Sequence, residues 1–163
     1  MLTLWSNSVV STHAIASALA SVCRPGDLIV LAGEMGAGKT AFAQGFGAAL
    51  GVREPITSPT FTLVHTYDTG RVELHHADLY RLDRMAEVAD LALGELRDSD
   101  GIVLVEWGDV VATSLGEHLE VRLHADDPTA PDTRRVEVRG VGTAWAQRWS
   151  RVADVLEPWG RPC

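Results

Sequence analysis

The eight residues Gly33-Glu34-Met35-Gly36-Ala37-Gly38-Lys39-Thr40 constrain this chain more than any other feature. They fit the pattern G-x-x-x-x-G-K-[ST]. Before them runs Leu28-Ile29-Val30-Leu31-Ala32, an apolar stretch of the kind buried on both faces in a parallel sheet, and after them residues 40–50 are Ala- and Phe-rich up to Gly51. A strand, a Gly-rich turn and a helix in that order make a phosphate cradle. Glycines open backbone conformations closed to other residues, and successive N–H groups turn inward at the positive end of the helix. Lys39 is expected to reach the β- and γ-phosphates and the Thr40 hydroxyl to ligate magnesium, a hard cation that prefers oxygen. A plain Gly-rich turn with a solvated lysine is the competing reading. Against it, Lys39 is the only lysine among 14 basic side chains, the rest being arginine. A compact ammonium serves phosphates where a composition otherwise supplies only planar guanidinium forks.

Such a cradle needs a carboxylate at the end of a neighbouring strand to hold the magnesium shell or its water. Glu106 directly follows Ile102-Val103-Leu104-Val105, and Asp78 ends the segment through Leu74, where it also suits a helix N-cap. His75 and His76 are neighbours on a strand and point to opposite faces, so they read as structural or surface histidines rather than a joint metal site. Thr57-Ser58-Pro59-Thr60 reads equally as a turn or as a switch segment sensing the γ-phosphate.

The rest of the chain reads as alternating elements. Ser11-Thr12 is placed to cap a helix through Leu19; residues 60–67 and 71–77 flank Asp68-Thr69-Gly70 as a hairpin; a helix is predicted over 85–97. Strands follow at 119–123 and 136–138, separated by a Pro- and Asp-rich loop over 126–132, and a last helix at 144–156. The hairpin makes the sheet mixed. At 163 residues with no linker or repeat, one domain over 1–163 is expected.

Charge and composition narrow the partners. A net charge of −8 argues against a basic face that grips nucleic acid unaided, and points to docking on a protein. Cys23 and Cys163 offer neither a disulfide framework nor a CxxC pattern, and no apolar run reaches spanning length, so a cytoplasmic location with no membrane contact is expected. With Asn7 the sole asparagine and Lys39 the sole lysine, no Asn-Lys-x-Asp guanine loop exists, which favours ATP over GTP. A small-molecule kinase stays open, although its arginine-bearing lid has no clear counterpart beyond the close pairs Arg81 with Arg84 and Arg134 with Arg135. A nucleotide-gated binding module with slow turnover is the other class.

Four segments together, the 33–40 loop, Thr57-Ser58-Pro59-Thr60-Phe61, His76-Ala77-Asp78-Leu79-Tyr80-Arg81-Leu82 and Val105-Glu106-Trp107-Gly108, resemble in order and spacing the TsaE (YjeE) family, small bacterial ATPases of tRNA threonylcarbamoyladenosine biosynthesis. The likeness runs from the first helix to Trp107 and thins beyond Asp109. It implies an α/β fold, a P-loop NTPase-like three-layer sandwich with a mixed, mostly parallel sheet. It also implies a weak, partner-stimulated, Mg2+-dependent ATPase that resets a TsaB–TsaD heterodimer between turnovers, meets tRNA only through that complex, and is not itself the transferase. On this resemblance Lys39, Asp78 and Glu106 carry catalysis. Thr40, Glu106 and Asp78 serve the metal. Gly33, Glu34, Met35, Gly36, Ala37, Gly38, Lys39 and Thr40 hold the phosphates; Trp107 lies near the nucleotide, Thr12 against the adenine side, and Arg134 reaches in from the late strand. One departure is Ala41, where the family often has a second hydroxyl; its loss removes a hydrogen bond to the α-phosphate worth about 1–3 kcal/mol.

Overall fold

The computed structural model describes residues 1–59, 64–79, 94–96, 98, 100–106, 115–126 and 129–160. Among them seven strands build one sheet: β1 (Leu2–Ser6), β2 (Leu28–Ala32), β3 (Val64–Asp68), β4 (Glu73–Asp78), β5 (Ile102–Glu106), β6 (His118–His124) and β7 (Arg134–Val141). The helices are α1 (Val9–Ala20), α2 (Lys39–Leu50) and α3 (Thr143–Leu156), with a 3-10 turn over Glu157–Trp159. Strand order is β1-β7-β6-β2-β5-β4-β3.

The sheet is mixed as expected, but not mostly parallel. Its parallel pairings are β2 with β5, β2 with β6 and β4 with β5; β1 with β7, β3 with β4 and β6 with β7 are antiparallel. For β3 with β4 and β6 with β7 the physical reason is connection length, since the links after β3 and β6 close hairpins whereas parallel neighbours need a long crossover; β1 adds to the outer edge of β7 from the far end of the chain. The chain therefore has a four-stranded parallel centre, β6-β2-β5-β4, with antiparallel strands on both sides.

Side-chain alternation divides the apolar runs between two faces. Ile29, Leu31, Leu104, Leu119, Val121 and Val138 pack with Ile15 and Leu19 of α1, Phe42 and Phe46 of α2, and Trp145 and Val152 of α3. Leu28, Val30, Ala77, Val103 and Val105 form a second cluster on the other face with Leu79 and Leu115. Helices α1, α2 and α3 thus cover one face; the helix predicted over 85–97 falls largely outside the described residues, but residues 94–96 and 98 are helical and Leu96 packs against the second cluster. Helices α1 and α2 touch at backbone distance, because a Cβ on Gly45 would lie 2.6 Å from the His13 Cα. A glycine there weakens the helix by about 1 kcal/mol relative to alanine, yet only a glycine permits the approach.

Three local expectations change. Helix α1 is capped by Ser8, whose side chain accepts the Ser11 N–H at 3.1 Å, not by Ser11-Thr12. Its first turn carries the exposed Val9 and Val10, so apolar periodicity gave no sign of it. Strand β1 was not foreseen: five residues are short, and only Leu2 and Leu4 of its alternating set face the helices. Strand β7 runs over eight residues, not three, because it pairs with β1 on one side and β6 on the other.

Helix α3 is anchored beneath the start of β2. Arg148 forms a bidentate ion pair with Asp27, at 2.8 and 2.6 Å, and its guanidinium carbon lies 4.0 Å from the centre of the Trp145 ring. Both charged groups are buried.

Candidate functional site

The loop from Gly33 to Gly38 leaves the C-terminal end of β2 and enters α2. Gly33, Gly36 and Gly38 have φ of 138°, 81° and 106°, a region that side chains with a Cβ avoid. Gly33 is fixed for a second reason: a Cβ there would lie 2.4 Å from the carbonyl oxygen of Leu123 in β6. Lys39 is only 5% exposed, and its ammonium folds back and donates to the Gly33 and Glu34 carbonyls at 2.8 and 2.9 Å. The α2 dipole adds partial positive charge at this end.

A cavity of about 350 Å³ opens in front of the loop, lined by Met35, Gly36, Gly38, Lys39, Thr40, Ser58, Asp78 and Glu106. The two acids come together through sheet register. Asp78 and Glu106 are paired positions at the ends of the parallel strands β4 and β5, and side chains opposite each other share a face. Each is held by a different partner. The Ser58 hydroxyl donates to Asp78 Oδ2 at 2.8 Å, while Glu106 Oε1 lies 2.9 Å from His76 Nε2, with both of the latter residues buried. Ser58 thus brings the 57–60 segment to the cavity; Thr60 lies outside the described residues.

Gly33 and Glu34 line an adjoining cavity of about 340 Å³ with Arg122, Leu123, His124, Ala125 and Asp126. Arg134 is placed against the loop rather than in the main cavity. Its Nε donates to the Ala37 carbonyl at 2.9 Å, Nη2 to Gly36 at 3.5 Å, and Nη1 to Pro131 and Thr133. Its neighbour Arg135 is committed to Asp126 and Glu137. A hydrogen bond from His124, and then the Arg135 charge, hold the Glu137 carboxyl below the usual range. This arginine pair is therefore spent on the protein itself. Thr12 is buried, its hydroxyl 2.8 Å from that of Ser6 and 3.3 Å from the Ser8 carbonyl, and it does not line either cavity. Trp107, like Arg81 and Arg84, lies outside the described residues.

The residue missed by the sequence reading is His76, taken as structural or surface when it sits behind Glu106. The sequence carries half of the signal: on a strand His76 and Asp78 share a face, but the approach to Glu106 depends on the register of β4 with β5. Beside the Lys39 ammonium and the Met35 thioether, the cavity offers four oxygen-bearing side chains, the Thr40 and Ser58 hydroxyls and the Asp78 and Glu106 carboxylates. Among the described residues no group of three or more His, Cys, Asp or Glu forms a metal cage by itself. That combination fits magnesium, which takes one or two carboxylates and completes its shell with waters and phosphate oxygens.

Residues 6–136 match the family model described as threonylcarbamoyl adenosine biosynthesis protein TsaE. The chain belongs to the TsaE family. The match passes well beyond residue 109 and takes in β6 and the start of β7, so the family likeness extends further than the four motifs. A tRNA threonylcarbamoyladenosine biosynthesis protein TsaE of Streptomyces coelicolor is 43% identical over 133 residues, covering 78% of this chain and 89% of the relative. The TsaE of Bacillus subtilis is 36% identical over 135 residues, covering 82% of both. The crystal structure of Bacillus subtilis YdiB superposes with a TM-score of 0.76 at 30% identity, covering 94% of each chain. TsaE proteins serve tRNA threonylcarbamoyladenosine biosynthesis. Among the described residues no helix is long and apolar enough to cross a membrane.

Proposed function

We propose that this chain is a P-loop ATPase that binds MgATP at the 33–40 loop, hydrolyses it slowly, and acts in the cytoplasm on a TsaB–TsaD complex that modifies the adenosine beside the tRNA anticodon. The observation that carries the reading is convergence: Lys39, Thr40, Ser58, Asp78 and Glu106, drawn from four separate segments, line one cavity at the mouth of a glycine loop. Family membership supplies the pathway, and the net charge of −8 favours a protein partner over direct contact with tRNA.

The residues divide the work. The inward-turned loop N–H groups and the α2 N-terminus bind phosphate oxygens. Lys39 leaves the Gly33 and Glu34 carbonyls for the β- and γ-phosphates, stronger acceptors than neutral carbonyls. Thr40 and Glu106 would hold magnesium, which when bound would supply positive charge beside the phosphates, and Asp78 would orient the attacking water or a water of the metal shell. Ser58, bonded to Asp78, carries the occupancy of the site to the 57–60 segment.

Phosphate release from MgATP, measured with the chain alone and with a TsaB–TsaD heterodimer, tests this. Expected is slow release alone, of order 10⁻⁴ to 10⁻² s⁻¹ as in P-loop switches without a supplied arginine, and strong stimulation by the heterodimer. Lys39→Ala and Glu106→Ala should both abolish the stimulated rate while leaving the fold intact. Unchanged stimulated rates in either variant overturn the site. Consumption of ATP in proportion to a small-molecule acceptor would replace the reading with a kinase.

A further inference from the structure

Of the two cavity carboxylates, Glu106 is the one removed from water: the residue is 3% exposed, and His76 against it is 0% exposed. A carboxylate in that position needs a hydrogen-bond donor. Among the described residues the side-chain donor given to it is His76 Nε2, at 2.9 Å from Oε1. The second ring nitrogen, Nδ1, is buried with no hydrogen-bond partner among the described residues. A buried N–H without an acceptor is worse than a buried lone pair without a donor, so the ring places a hydrogen on Nε2 and aims it at Glu106.

We infer that His76 is a positioning residue for Glu106, fixing by one Nε2–H donation which carboxylate oxygen faces the nucleotide cavity. This rests on the proposed MgATP site and adds a residue to it. The geometry follows from the sheet. His76 is opposite Leu104 and Asp78 opposite Glu106, so His76 stands one pleat behind the acid pair on the same face and reaches Glu106 along the strand direction. With Oε1 engaged by the ring, Oε2 is the Glu106 oxygen left for a ligand in the cavity that the residue lines. One oxygen is what a compact octahedral magnesium shell takes from a carboxylate, and partners behind a ligand of this kind set its orientation. Glu106 and Asp78 are thus separately held, by His76 and by Ser58, which keeps two adjacent carboxylates at fixed and different angles.

Two measurements on the full chain test this. The first needs no nucleotide or partner: imidazole 15N spectra are expected to show His76 with a slowly exchanging Nε2 proton that is lost or shifted in Glu106→Leu. A His76 ring protonated only on Nδ1, or an Nε2 proton indifferent to Glu106→Leu, overturns the inference. The second compares His76→Leu, which fills the space without a donor, with His76→Gln, which returns one. ATP binding in the absence of metal should be unchanged in both. The magnesium concentration giving half the effect on ATP affinity should rise about tenfold or more in His76→Leu and recover most of the way in His76→Gln. Equal magnesium requirements in wild type and His76→Leu would refute positioning, as would a defect that His76→Gln does not repair. Failure of wild type to bind ATP at all would overturn the MgATP reading itself, while the 15N result still decides the contact.

Discussion

Replacing Arg148 by methionine keeps much of the stem packed on Trp145 and deletes one half of a buried ion pair. The guanidinium gives two hydrogen bonds to Asp27, and Asp27 Oδ2 also accepts the Arg24 N–H at 2.8 Å, closing the turn that leads into β2. Removing the cation leaves the Asp27 carboxylate, 9% exposed, with one neutral donor in place of a charged fork. Breaking a buried pair from one side costs about 3–5 kcal/mol, and the cation–π contact at 4.0 Å lies within that sum. For a chain of 163 residues, at about 2–4 °C per kcal/mol, Tm should fall by roughly 6–20 °C. Urea unfolding of wild type, Asp27→Asn, Arg148→Met and the double variant measures the coupling, since asparagine keeps an oxygen for the Arg24 N–H. The double variant should be more stable than the sum of the single losses by about 1–3 kcal/mol. Additive losses, or a loss below about 1 kcal/mol in Arg148→Met, would refute the claim that α3 is held to β2 by this pair.

Other outcomes follow from the loop and from β4. Gly33→Ala puts a Cβ against the Leu123 carbonyl at positive φ, strain of about 1–3 kcal/mol, so ATP affinity by calorimetry should drop by roughly 5- to 150-fold; wild-type affinity would show that the loop does not need this backbone. Arg134→Ala removes the donor to the Ala37 carbonyl and should weaken ATP and ADP alike by roughly tenfold, about one charge-assisted hydrogen bond, without rescue in Arg134→Lys. A loss confined to ATP would instead put the guanidinium on the γ-phosphate. His75 is buried, and desolvation holds its pKa below the ordinary 6.5. On acidification the unfolded chain takes the proton first. The stability is therefore whole above about pH 6.5 and declines below it, by up to about 1.4 kcal/mol per pH unit. Melting curves from pH 7.5 to 5 should be flatter in His75→Asn; an identical pH dependence would sink the assignment.

What the sequence disclosed was local. The run Leu28–Ala32 between a turn and a glycine, the spacing of Gly33, Gly38, Lys39 and Thr40, and the strand-end placement of Asp78 and Glu106 all lie within short windows, and β2, α2, β4 and β5 formed where those windows put them. Contacts set by register were not legible. His76 and Glu106 are thirty positions apart, and nothing in either strand alone says that the two run parallel with Asp78 opposite Glu106. The family resemblance gave Arg134 a reach to the nucleotide from the late strand; its placement on the Ala37 carbonyl depends on β7 pairing beside β6, a hairpin whose partner strand lies across the intervening loop.

That placement bears on how the loop keeps its shape. In a trans peptide the C=O and N–H point to opposite sides. When Arg134 holds the Ala37 carbonyl, the Gly38 N–H of the same plane is turned to the opposite side, away from Arg134, and Gly38 itself lines the main cavity. At the other end of the loop the Leu123 carbonyl of β6 stands where a Gly33 side chain would be. Both supports come from strands C-terminal to the acids, in a part of the chain that holds no motif of its own. Sequence there need only preserve a backbone carbonyl and one guanidinium, so the region reads as general architecture while it dictates the conformation of the eight most recognisable residues. A loop held from two sides by the sheet, and a β2 start pinned by α3 through Asp27, enter binding with little left to order, and the affinity that results depends on residues that touch no phosphate.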